Sequence, residues 1–88
     1  MISEIKRLMK EFEAAEEKMN EIDAAYDANP ENEELEKAWS AAYRAEFEAR
    51  ERLIAEIVSF TKGLLTTKNV RAMLAVRREE LKRLLMMA

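Results

Sequence analysis

The chain of 88 residues contains no cysteine and no histidine, and one proline and one glycine. Without cysteine there are no disulfides and no thiolate metal sites. Without histidine, the Glu-x-x-His motif of helix-bundle di-iron centres cannot be built. The commonest general base is missing as well. Ser3, Ser40 and Ser59 are scattered, with no base to activate them. The composition therefore predicts no enzyme, no cofactor and no metal. No apolar run approaches the ~20 residues needed to cross a bilayer. The opening MISEIKRLMKEF mixes charges with apolar residues, unlike a signal peptide. The expected setting is cytoplasmic, away from membranes.

What is abundant is helix-forming sequence. Hydrophobic residues make up 49% and charged residues 38%. The Ala, Glu, Lys, Leu and Arg content is that of long helices and coiled coils. Pro30 and Gly63 cut the chain into thirds. A single all-α domain over residues 1–88 is predicted, with helices at about 3–28, 30–62 and 67–87.

In the first third, Ile5, Leu8, Phe12, Ala15, Met19, Ile22 and Tyr26 recur at alternating spacings of three and four. This is an a/d heptad seam. Asn29 and Pro30 read as N-cap and first turn of the second helix. So short a connection returns that helix antiparallel to the first. Its apolar face carries Leu35, Trp39, Ala42, Ala49, Leu53, Ile57 and Phe60, flanked by Tyr43, Phe47, Ile54 and Val58. Such width suggests two neighbours. Gly63 suits the C′ position, and Thr66 or Thr67 can cap the third helix. That helix presents Val70, Met73, Leu74, Leu81, Leu84 and Leu85.

At 1.5 Å per residue the second helix would span ~48 Å and the third only ~31 Å. A third helix folding back from Gly63 would end near Ala42. The hairpin tip would stay partly uncovered, leaving Ile22, Tyr26, Leu35, Trp39 and Tyr43 as a candidate interface. The predicted architecture is a long antiparallel hairpin plus a shorter third helix. Such three-helix bundles are expected to pair into a larger dimeric bundle.

Charges interrupt the apolar stripes at Glu46, Arg50 and Arg77. They form a candidate polar layer, since a buried charge is costly unless paired. The alternative is a stripe edge with an ordinary Glu46–Arg50 pair and a snorkelling Arg77.

Net charge is −3, unevenly spread. Residues 62–88 carry seven Lys/Arg and two Glu; residues 1–61 carry eight Lys/Arg and sixteen Asp/Glu. Lys68, Arg71, Arg78 and Lys82 share one flank of the third helix, the basis for an alternative nucleic-acid-binding reading. No aromatic interleaves with them, so pairing with acidic neighbours is the simpler account. The leading expectation is a non-enzymatic interaction module, scaffold, adaptor or small regulator. Its expected partners are a second copy of itself and another protein.

Overall fold

The computed structural model describes residues 2–87. It is all-α, with four helices and no strand among the described residues. They are α1 (Ile2–Ala28), α2 (Glu33–Phe60), α3 (Thr67–Val76) and α4 (Arg78–Met87). The expected third helix is thus two. The dimension along the long axis is 47 Å, against 21 and 18 Å across.

The heptad seam of α1 packs along α2. Ile5, Leu8 and Phe12 are buried against Ala49, Leu53 and Ile57. Further up, Ala15, Met19, Ile22 and Tyr26 are only half-buried. The core therefore lies at the open end of the hairpin, where α3 and α4 complete it with Val70, Met73, Leu74, Leu81 and Leu85.

The α1–α2 connection differs in detail from the expectation. Asn32, not Asn29, caps α2: its Oδ1 accepts from the amides of Glu34 (2.9 Å) and Leu35 (3.1 Å). Asn29 instead closes α1, its amide donating to the carbonyls of Ala25 and Tyr26. The residue before a proline avoids the helical region, so α1 stops there. Pro30 lies in the turn rather than at the first helical position. Glu33, Glu34 and Glu36 then occupy the first turn of α2, where the helix dipole favours acids. Asn32→Ala should cost about 0.5–2 kcal/mol, the usual value of an N-cap. Asn29→Ala, which removes no cap, should cost less; paired urea melts check this.

α2 ends at Phe60 rather than residue 62. Thr61 is the C-cap. Lys62 adopts φ 53° and Gly63 φ 82°. Their amides donate to Ser59 and Val58 respectively, the Schellman pattern. Lys62 thus holds the C′ position expected for Gly63, and Gly63 follows it, also left-handed. Thr66 caps α3, its Oγ1 accepting from the Asn69 amide at 3.1 Å.

The break between α3 and α4 falls at Arg77, with φ −137° and ψ 43°, outside helical values. A continuous helix would aim the Arg77 guanidinium between Val70, Leu74, Leu81 and Leu84, into the core. Burying that charge unpaired is costly. The corner swings Arg77 out, to 62% side-chain exposure. It also turns α4 back along α1. Arg78 meets Glu16, Lys82 meets Glu13, and Leu85 and Met86 share a groove with Ile5 and Met9. One carbonyl freed by the corner, that of Leu74, accepts from the Arg78 Nε at 3.1 Å.

Candidate functional site

Because α4 turns back, α3 and α4 add to the core only at the hairpin's open end. Beyond that core, one face of α2 carries Trp39, Tyr43 and Phe47 at successive helical turns. Trp39 and Tyr43 stack with ring centroids 5.5 Å apart at 23°. Tyr26 of α1 meets Trp39 at 6.2 Å and 42°. The indole Nε1 donates to Asp23 Oδ1 at 2.9 Å, which fixes the ring across the hairpin. Ile22, Tyr26, Leu35 and Trp39 are half-buried. Tyr43 and Phe47 are 51% and 45% exposed. Trp39, Ser40, Tyr43, Arg44 and Phe47 enclose a shallow depression of about 370 Å³.

The five residues of the candidate interface thus lie on one hairpin tip. Phe47 extends them; its four-residue spacing from Tyr43 is visible in the sequence. Asp23 carries no signal in the sequence, because its role depends on the hairpin register. The tip is also acidic: residues 17–44 hold eight Asp/Glu and three Lys/Arg.

Glu46 and Arg50 lie on α2 below the aromatic ladder. Glu46 is 13% exposed in its side chain and Arg50 31%, with 3.3 Å between their charged atoms. The Arg50 guanidinium lies 5.5 Å from the Phe47 ring centroid, a cation–π distance. Arg77 does not join them. It is exposed at the α3–α4 corner, 3.9 Å from Glu80, so a three-residue polar layer does not form.

The basic flank of α3 and α4 meets the chain's own acids. Arg71 donates to both carboxylate oxygens of Glu51, at 2.8 and 3.0 Å. Arg78 forks onto Glu16 with two nitrogens, Nη1 and Nη2 each donating to one carboxylate oxygen, at 2.7 and 2.9 Å. It also lies 3.5 Å from Glu13 and 5.0 Å above the Phe12 ring. Lys82 contacts Glu13 at 2.9 Å. Lys68 is exposed. Three of the four candidate phosphate contacts are therefore engaged within the fold.

The Arg78 hydrogen bonds hold the Glu16 carboxyl below its ordinary value of 4.5, against the opposing effect of burial; nearby Arg50 adds to the lowering. Glu16 in turn raises the Arg78 guanidinium. A lowered carboxylate pKa adds stability that is full above the unfolded value and lost as pH falls through the folded one. Arg78→Met should therefore flatten the fall in melting temperature below about pH 4.5. Thermal melts from pH 7 to 3 check this. An unchanged slope would remove Glu16 from the acid sensitivity.

Among the described residues, no three His, Cys, Asp or Glu side chains come together as a metal site. Among the same residues, no helix is long and apolar enough to cross a membrane. The chain matches no protein-family model, and no curated protein or solved structure shows significant similarity to it.

Proposed function

We propose that this chain is a non-enzymatic helical protein–protein interaction module, acting as a homodimer through its hairpin tip. The observation that carries the reading is the aromatic ladder Trp39–Tyr43–Phe47, left open where α4 turns away. Aromatic rings fixed on rigid helices make strong contact residues. Exposed apolar strips rimmed by polar residues are characteristic of interfaces. A two-fold axis beside the tip would bury the same strip on both copies at once. Each large side chain so buried contributes about 1.5–3 kcal/mol, against the entropy lost on association. Scaffolding, adaptor and regulatory roles all fit such a surface.

The nucleic-acid reading is weaker, since Arg71, Arg78 and Lys82 would have to leave Glu51, Glu16 and Glu13 to meet phosphates. Sedimentation of the wild type and Trp39→Glu tests the proposal. The wild type should be dimeric at tens of micromolar, roughly the range where several buried aromatics offset association entropy. The variant, purified as the form with α4 docked on its own α1 and kept folded throughout, should be monomeric with unchanged helicity. A monomeric wild type rejects self-association; an equally tight variant dimer rejects the tip.

A further inference from the structure

The bend at Arg77 has no helix-breaking residue. Val76, Arg77 and Arg78 include no Gly, Pro or Asn, and Met73, Leu74, Ala75, Glu79, Glu80 and Leu81 around them suit a helix interior. The corner leaves backbone groups without helical partners. The first amides of α4, on Arg78, Glu79 and Glu80, have none within that helix. The same holds for the carbonyls of Leu74, Ala75 and Val76 at the end of α3. In a continuous helix these groups would pair with one another. Among the described residues, only the Leu74 carbonyl receives a substitute, from Arg78 Nε; Ala75, Val76, Glu79 and Glu80, which carry others, face solvent. Local preference therefore opposes the corner, and tertiary contacts hold it. Leu81 and Leu85 enter the core, and Arg78 and Lys82 grip Glu16 and Glu13. None of these contacts requires α4 and α1 to belong to the same chain.

We propose that Arg77 is a hinge through which two copies exchange α4. In the exchanged form α3 and α4 run as one helix over residues 67–87, and each α4 docks on the α1 of the other copy. The contacts of α4 with the core and with Glu13 and Glu16 are recovered, and three backbone hydrogen bonds per chain are gained in place of the Arg78 Nε–Leu74 bond. Association entropy opposes the exchange, and so does returning the Arg77 charge to the apolar stripe, a cost that Arg77→Ala removes. Short connections that work against their own sequence are where such swapping arises. This association uses the base of the hairpin and is independent of the aromatic tip.

The chain lacks cysteine, so single introduced thiols report without interference. Lys6 and Met86 line the same groove between α1 and α4 and are exposed. Lys6→Cys and Met86→Cys chains are mixed, unfolded and refolded together at high concentration, then treated with a short bis-maleimide. The doubly substituted chain at high dilution serves as the reference and should cross-link internally. Exchange predicts a covalent Lys6→Cys/Met86→Cys heterodimer whose yield is unaffected by adding Trp39→Glu. Arg77→Ala should raise the yield and Arg77→Gly lower it. Gly disfavours continuous helix about fivefold per chain relative to Ala, so the two variants should differ about 25-fold in dimerisation. Cross-linking confined to the doubly substituted chain, or equal yields from the two Arg77 variants, would overturn the proposal.

Discussion

Phe12→Ala is expected to lower stability by about 3–5 kcal/mol, the usual loss for a buried Phe truncated to Ala. Phe12 is 2% exposed, in the layer that joins the heptad seam of α1 to α2. Its ring also lies under the Arg78 guanidinium, so the truncation leaves a cavity and removes a cation–π contact. A domain of this size has a total stability near 5–15 kcal/mol, and each kcal/mol shifts the melting temperature by about 4–8 °C. The melt should therefore fall by at least about 12 °C, and marginal conditions should unfold the variant. Tyr43→Ala, on the exposed ladder, should stay within about 0.5 kcal/mol in the monomer. A Phe12→Ala variant as stable as Tyr43→Ala would show that the core does not lie at the open end of the hairpin.

Leu81→Ala and Leu84→Ala should differ sharply. In an uninterrupted third helix both leucines belong to one apolar stripe, and both would be costly to truncate. The corner at Arg77 resets the register. Leu81 is fully buried, whereas Leu84 is 48% exposed. Leu81→Ala should cost about 2–5 kcal/mol, with loss of the docking that holds α4 against α1. Leu84→Ala should cost well under half of that. Denaturant melts of the two variants read the difference directly. Equal losses would restore a continuous helix.

The same pair of leucines shows where the sequence stops being informative. The seam of α1, the inner face of α2 and the cap at Thr66 follow from spacing and side-chain chemistry, which are local. Helix boundaries shifted where two residues competed for one role, as Asn29 and Asn32 did for the α2 cap. The corner at Arg77 carries no local signal, because its cause is tertiary. A charge set in an apolar stripe can be buried with a partner, placed at an edge or swung out by breaking the helix. The Glu46–Arg50 pair stays within an unbroken α2, while Arg77 breaks its helix. Sequence periodicity cannot separate these outcomes. Helix lengths alone anticipate an uncovered tip beyond Ala42, but the opening extends to Tyr43 and Phe47 because α4 turns back, which no length shows. The basic flank illustrates the reverse case. Its clustering is plain in the sequence, but only the fold shows Arg71, Arg78 and Lys82 paired with Glu51, Glu16 and Glu13.

Trp39 is the only tryptophan in the chain, and it stands at the centre of the proposed contact surface. Its fluorescence followed during dilution is therefore the most direct test of self-association through the tip. The emission maximum should move to longer wavelength as the protein is diluted and the strip becomes exposed. The sedimentation coefficient should fall over the same concentration range. A maximum that stays constant from tens of micromolar to nanomolar, with sedimentation as a monomer throughout, would contradict the account.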